Sequence, residues 1–140
     1  MGDITTRPWG HWTVLQEYNE ADFRQVNLVQ TKEKLPYTPC KVKELYVLPG
    51  QSLSWQKHRQ RNELWFVREG MATVYYSSDV EGEEVHVKKI DRYQNFTLLA
   101  NKWHQLVNEQ DTVLSVIEIQ YGSNCIESDI LRKPRPSTDS

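Results

Sequence analysis

Short segments of alternating polar and apolar residues follow one another along most of this 140-residue chain, separated by turn-forming residues. An example is TVLSVIEIQY at residues 112–121, the longest and most apolar of them. Alternate side chains of a β-strand face opposite sides of a sheet, so each segment predicts a strand. No helical period persists over three turns. The pattern therefore predicts a single all-β domain, either a sandwich or a barrel.

The same alternation sets the expected limits of the strands and of the domain. We expect strands at residues 12–18, 25–31, 40–48, 51–58, 63–68, 71–77, 84–90, 95–100, 105–109 and 112–121. Residues 32–39 contain two prolines and three charges and are expected to form a loop. In the strand at 84–90, Val85 and Val87 should face inward and His86 outward. Residues 1–132 form the predicted domain, and residues 133–140, which lack apolar side chains, are expected to be disordered.

The composition argues against several classes of partner. Lys and Arg number 17 against 19 Asp and Glu, so a general affinity for nucleic acid or an anionic membrane is not expected. No apolar run is long enough to span a membrane, and the first residues lack the apolar centre of a signal peptide. Cys40 and Cys125 are far apart and are interpreted as inert thiols, although a single disulfide remains open. We expect a cytoplasmic protein.

Four side chains could bind one metal ion. Gln56 and His58 are two residues apart, so on a strand both would face the same side. Glu63 follows a short turn and begins the next predicted strand, and His104 follows a later turn. Imidazole nitrogens, a carboxylate and an amide oxygen form a mixed N/O set that suits Zn, Mn, Fe, Co or Ni. We expect a divalent metal bound by these four residues.

The spacing of these residues resembles the motifs of the cupin family. The first motif, G-x5-H-x-H-x4-E-x6-G, runs from Gly50 to Gly70, with Gln56 in place of the first histidine. The second motif, G-x5-P-x-G-x2-H-x3-N, is met only at its end, by His104 and Asn108. Its expected glycine, proline and glycine are replaced by Tyr93, Leu99 and Asn101. Asn can adopt a left-handed turn conformation. The resemblance implies a double-stranded β-helix, or jelly-roll barrel, with one metal in its cavity.

Three longer segments narrow the resemblance to one branch of cupins. RPWG at residues 7–10, KVKELYVLPGQSLSWQKH at 41–58 and VIEIQYGSNCIESDILR at 116–132 resemble the C-terminal domain of type II mannose-6-phosphate isomerases. In many bacteria that domain follows a mannose-1-phosphate guanylyltransferase domain, which these 140 residues do not include. Glutamine at the first ligand position is a mark of phosphomannose isomerases, whereas Leu64 replaces a usual histidine. The resemblance implies Zn as the metal and isomerisation of mannose 6-phosphate to fructose 6-phosphate through an enediol.

That reaction needs a base, a phosphate anchor and a sugar-binding surface. Glu118 is the candidate base if its strand face lines the cavity, and a hydrogen-bonded carboxylate at the rim otherwise. The candidate phosphate ligands are Arg61, Lys102 and Arg132, with Arg132 the first choice because arginine binds phosphate through paired donors. Lys57 is expected to point away from the face of Gln56. Trp65 would stack on a sugar ring or pack in the core.

Two other functions compete with the isomerase interpretation. The altered second motif favours a cupin that binds a sugar or a sugar nucleotide without turning it over. An iron-dependent dioxygenase is a third interpretation, against which Gln56 argues, since such sites usually rely on histidines. By analogy with small cupins, we expect a homodimer formed through edge strands, with a sugar phosphate as its small-molecule ligand.

Overall fold

The regular elements of the described structure are all β-strands. The structure is a computed structural model that describes residues 4–17, 38–122 and 126–137. Its strands are β1 (Ile4–Arg7), β2 (Gly10–Glu17), β3 (Thr38–Val47), β4 (Gln56–Lys57), β5 (Arg61–Glu69), β6 (Ala72–Ser77), β7 (Val85–Ile90), β8 (Asn95–Leu98), β9 (His104–Val107), β10 (Leu114–Gly122) and β11 (Leu131–Arg132). This confirms the all-β prediction. No helix in these residues is long and apolar enough to cross a membrane.

The strands form two antiparallel sheets. One has six strands in the order β1-β2-β3-β10-β5-β8, and the other has five in the order β11-β4-β9-β6-β7. Strand β10 pairs with β3 on one side and with β5 on the other, so strands distant in sequence are neighbours at the centre of the larger sheet. Consecutive strands repeatedly change sheet, which is the connectivity of a jelly roll.

The inward faces of β3, β5 and β10 change character along their length. At one end they present Leu45, Val67 and Val116, which are at most 3% exposed and belong to the core between the sheets. Further along the same faces, at steps of two residues, the inward side chains are polar. They include Lys43, Glu63, Glu118 and Gln120. The register places Glu118 opposite Lys43 and Gln120 opposite Glu63, so the polar positions gather at one end of the interior.

Several strand limits differ from those predicted. The strand expected at 51–58 is reduced to β4, with an isolated bridge at Ser52. Thr38 and Pro39, predicted to be loop, extend β3 by pairing with the end of β10. Strands β1 and β11 were not predicted because four and two residues are too few to show alternation. The strand expected at 25–31 lies outside the described residues, as does Cys125.

The predicted orientation of β7 is wrong. His86 is paired with Tyr76 and Ile90 with Ala72, and residues directly opposite one another share a sheet face. Ile90 and Ala72 are buried in the core, so His86 lies on the inward side and Val87 on the outward side. Val87 is accordingly 53% exposed. Because the side-chain period is two residues, the buried Ile90 determines the orientation of the whole strand.

The first residues of the predicted tail contact the barrel. The Lys133 backbone N–H donates to the carbonyl of Trp55 at 3.3 Å. The guanidinium of Arg135 lies 3.5 Å from the centre of the Tyr75 ring. After β11 the chain therefore runs on along the five-stranded sheet.

Candidate metal centre and its cavity

Three of the four predicted metal ligands meet in the polar end of the barrel. Glu63 lies on β5, His104 begins β9, and His58 follows β4 directly. Each of the three is 2% exposed. One ligand atom from each lies within 4.8 Å of the other two. Gln56 is the register partner of His104 and lines the adjoining cavity, while its side-chain amide donates to the Ser54 carbonyl at 3.3 Å.

The altered second motif keeps the backbone conformation that glycine would supply. Tyr93 has a φ of 69° and Asn101 a φ of 66°, both in the left-handed region. The Asn101 N–H donates to the His58 carbonyl at 2.7 Å, which ties the turn before His104 to the first ligand segment. Asn101 thus adopts the left-handed conformation that is open to asparagine as well as to glycine.

Both histidines present the same ring nitrogen to Glu63. His58 Nδ1 lies 2.7 Å from the Asp129 carbonyl oxygen, and His104 Nδ1 lies 2.9 Å from the Lys102 carbonyl oxygen. A carbonyl oxygen only accepts, so Nδ1 carries the hydrogen and, in the neutral ring, Nε2 presents its lone pair. Burial lowers the pKa of His58 to about 4, which leaves this ring neutral near pH 7. A metal ion requires this neutral form.

The imidazole of His104 and the carboxylate of Glu63 approach each other closely. His104 Nε2 lies 3.0 Å from Glu63 Oε1, and neither atom has a hydrogen-bond partner among the described residues. Burial raises the pKa of Glu63, but His104, His58 and Arg61 outweigh that effect and hold it below its usual range. A carboxylate and a lone pair at this distance require a cation, either a proton on Nε2 or a metal ion. Two imidazoles and a carboxylate therefore fit a divalent metal such as Zn.

Arg61 lies against the same ligands. Its Nη2 donates to Glu63 Oε2 at 3.1 Å and lies 3.2 Å from His58 Nε2. The side chain is nearly buried, so these hydrogen bonds form away from bulk water. A metal ion that bound all three ligands would replace the contact between Arg61 and His58. The structure thus places Arg61, a predicted substrate-binding residue, beside the candidate metal ligands.

A cavity of about 280 Å³ opens beside the cluster. Five of the predicted site residues line it together with Glu63, namely Gln56, Arg61, Trp65, Glu118 and Arg132. Lys102 is exposed in the turn before β9 and does not line this cavity. Lys57 lies 5.3 Å from the centre of the Trp103 ring and is also absent from the lining, which agrees with its predicted outward orientation.

Glu118 is a buried carboxylate held by two donors. Its Oε2 accepts from Trp65 Nε1 at 2.8 Å, and its Oε1 accepts from Gln120 Nε2 at 2.6 Å. Burial, followed by the negative charge of Glu63, raises the pKa of Glu118 to about 7, although Lys43 acts in the opposite direction. The side chain can therefore exchange a proton near neutral pH.

Lys43 and Glu127 line the cavity but were not predicted as site residues. Lys43 is 3% exposed, and its Nζ lies 2.6 Å from Glu127 Oε1 and 3.9 Å from the centre of the Trp12 ring. The sequence contained a partial indication, because Lys43 shares a strand face with Leu45 and Val47. Glu127 lies 84 residues further along the chain, and no local pattern indicates its position.

Known proteins resemble this chain at the level of sequence and of fold. The xanthan biosynthesis protein XanB of Xanthomonas campestris is 37% identical over 126 residues, which is 90% of this chain and 21% of that protein. A mannose-1-phosphate guanylyltransferase of Salmonella muenchen is 34% identical over 69% of this chain and 19% of its own length. The chain thus spans about a fifth of the length of these relatives.

The fold also occurs in the capsular polysaccharide assembling protein CapF of Staphylococcus aureus. A CapF structure superposes with a TM-score of 0.71 at 14% identity, over 96% of this chain and 34% of that chain. This likeness supports the cupin fold that the two-sheet topology and the ligand motif indicated. The family model of the mannose-6-phosphate isomerase C-terminal domain matches residues 3–134. This chain therefore belongs to the mannose-6-phosphate isomerase C-terminal family and has a cupin fold.

Proposed function

We propose that the chain is a metal-dependent isomerase that interconverts mannose 6-phosphate and fructose 6-phosphate. The observation that carries this proposal is Glu118, a buried carboxylate with a pKa of about 7 in the cavity beside the candidate metal ligands. A general base works best when its pKa is near the working pH. Family membership and the sugar-phosphate chemistry in the relatives' names support the choice of substrate.

The proposed reaction moves one proton between neighbouring carbons. Glu118 removes the proton from C2 of the aldose to give an enediolate, the hydroxyl proton moves from O2 to O1 in the enediol intermediate, and the protonated carboxyl returns its proton to C1 to give the ketose. His58, Glu63 and His104, with Gln56 beside them, would hold the divalent metal. When bound, the metal would stabilise negative charge that develops on the sugar oxygens. Trp65 and Gln120 orient the Glu118 carboxylate through the two hydrogen bonds described above.

A coupled assay that follows fructose 6-phosphate formation tests the proposal, with Zn, Mn, Co or Ni supplied. We expect turnover with at least one of these metals. Glu118→Gln should lower kcat by about 100-fold or more, the usual contribution of a general base. Glu69→Gln is the matched control, because Glu69 is an exposed carboxylate at the end of β5. For the wild type, kcat/KM should rise with pH as the base loses its proton, and Glu118→Gln should lack this rise.

A second candidate function is sugar-phosphate binding without turnover. It is favoured by the two donors on Glu118, because each carboxylate oxygen already accepts a short hydrogen bond. Hydrogen bonds to the ionised carboxylate stabilise that form, so they weaken Glu118 as a base. Measurable binding of mannose 6-phosphate, with no turnover in the presence of any of the four metals, would reject the isomerase and support this function.

A further inference from the structure

Lys43 is a buried cation in the wall of the cavity. It lies on the inward face of β3 and lines the same space as Glu118 and Glu63. Keeping an ammonium group away from water is costly unless hydrogen bonds and opposite charge compensate. In this position the compensation comes from the Glu127 carboxylate and the face of the Trp12 ring.

The hydrogen bond from Lys43 to Glu127 uses only part of the donor capacity of the ammonium group, and Glu127 is free to be exchanged for another anion. An ammonium group has three N–H donors, and Glu127 Oε1 accepts one of them at 2.6 Å. The Glu127 side chain is 48% exposed and also contacts Lys41 at 3.2 Å, so it lies at the mouth of the cavity. Because this carboxylate is half exposed, water can replace its hydrogen bond from Lys43 when it moves away. An anion entering the cavity can take its place on Lys43.

The position of Lys43 matches the length of a sugar phosphate. Strand β10 separates β3 from β5, so the backbones that carry Lys43 and Glu63 lie two strand spacings apart, or about 10 Å across the sheet. Glu118 lies between them, because it is the register partner of Lys43 on one side and of Trp65 on the other. A hexose phosphate carries its carbonyl group and its phosphate at opposite ends. With the carbonyl end near Glu63, its phosphate end reaches toward β3.

We propose that Lys43 binds the phosphate group of the sugar phosphate and that Glu127 is an internal competitor that leaves Lys43 when the phosphate binds. This inference rests on the proposed function for its substrate class, a phosphate monoester. Arg132 and Arg7 line the same cavity and add positive charge around it. Glu127 then sets the affinity of the site, because its charge must be displaced before an anion can bind.

Binding measurements by titration calorimetry test this proposal without using turnover. The ligands are mannose 6-phosphate, inorganic phosphate and mannose, which lacks the charged group. Lys43→Met keeps the apolar stem but removes the charge, and should weaken mannose 6-phosphate binding by about 10- to 100-fold, the usual worth of a hydrogen bond to a charged group. Mannose binding should change by less than about threefold. Lys41→Met is the matched control, since Lys41 contacts the same Glu127 but does not line the cavity.

Glu127→Gln gives an independent result of opposite sign. A neutral amide competes less well for the ammonium group, so inorganic phosphate and mannose 6-phosphate should both bind several-fold more tightly. Glu127 is half exposed, so this variant is expected to fold even where Lys43→Met does not. Circular dichroism shows whether each of the two variants is folded.

Each outcome of these titrations decides the proposal. It is overturned if Lys43→Met binds mannose 6-phosphate as tightly as the wild type does, or if its affinity for mannose falls as much as its affinity for mannose 6-phosphate. It is also overturned if Glu127→Gln does not bind inorganic phosphate more tightly than the wild type does. Absence of mannose 6-phosphate binding by the wild type also overturns it. Binding that depends on Lys43 in a protein without turnover would support this inference while rejecting the isomerase function.

Discussion

Replacing Glu118 by glutamine should change how the stability of the protein depends on pH. In the folded protein, burial raises the pKa of Glu118 from its ordinary value of 4.5 to about 7, whereas in the unfolded chain it titrates as an exposed carboxyl. Between these two pH values the folded state holds more protons than the unfolded state. The free energy of unfolding must therefore fall as the pH rises through this window. A glutamine side chain does not titrate, so the Glu118→Gln variant should lack this decrease.

The size of the effect follows from the two pKa values. A tenfold change in an ionisation constant is worth about 1.4 kcal/mol, so the interval from 4.5 to about 7 corresponds to about 3 kcal/mol. Most of this should appear between about pH 5 and about pH 8. At an ordinary urea dependence of about 1–3 kcal/mol per M, the unfolding midpoint of the wild type should fall by about 1–3 M relative to that of Glu118→Gln between these two pH values.

Urea unfolding of the metal-free protein at pH 5 and pH 8 measures this difference directly. Comparing wild type with variant at both pH values cancels the titration of His58 and other groups that the two proteins share. Glu69→Gln controls for the loss of one carboxylate at an exposed position. If wild type and Glu118→Gln showed the same pH dependence within about 0.5 kcal/mol, Glu118 would titrate as an exposed carboxylate. The reason for assigning it as a base near neutral pH would then be wrong.

Three further predictions concern the metal and two turns. His104→Ala should abolish binding of the divalent metal, as measured by elemental analysis. Gln56→Ala should weaken it less, because an amide oxygen is a weaker ligand than an imidazole nitrogen for a metal such as Zn; full metal in both variants would refute the ligand set. Gly82→Ala should cost about 1–3 kcal/mol in urea unfolding, because the added Cβ would lie 2.5 Å from the Trp103 ring at a φ of 76°; an unchanged midpoint would contradict this. Asn101→Ala should lower the free energy of unfolding in urea by about 1 kcal/mol, because alanine is strained at this left-handed φ, whereas Asn101→Gly should not. An equal loss of stability in the two variants would rule out backbone strain as the cause.

The strands were largely predictable because alternation is a local property. Strands β5, β6 and β10 lie within one or two residues of their predicted limits. The orientation of β7 was not predictable in the same way, since alternation shows two faces without saying which of them is covered. Only the pairing of Ile90 with the buried Ala72 decides that question. Strands β1 and β11 likewise form because they pair with β2 and β4, and their own few residues do not indicate this.

The site was predictable as far as short spacing determines it. His58 and Glu63 are separated by four residues, so the short connection from β4 to β5 keeps them close even though these two strands lie in different sheets. Lys43 and Lys102 show the limit of this reasoning. Lys102 was a candidate phosphate ligand but is exposed and does not line the cavity. Lys43 was not predicted and reaches the cavity from β3, which lies in the same sheet as the strands of Glu63 and Glu118. Its contact with Glu127 joins residues far apart in the chain, which only the fold reveals.

The interior of this barrel contains two environments built on the same strands. Val116 packs in the apolar core, and Glu118, two residues further on the same face of β10, lies among buried charges. Replacing buried ionic groups by well-packed apolar side chains is often neutral or stabilising, so stability alone does not require Lys43 and Glu118 as inward neighbours. Buried polar groups that break the apolar pattern are expected at functional sites. The apolar end already supplies the core. Stability therefore does not explain the composition of the charged end, whereas the proposed binding of a ligand does.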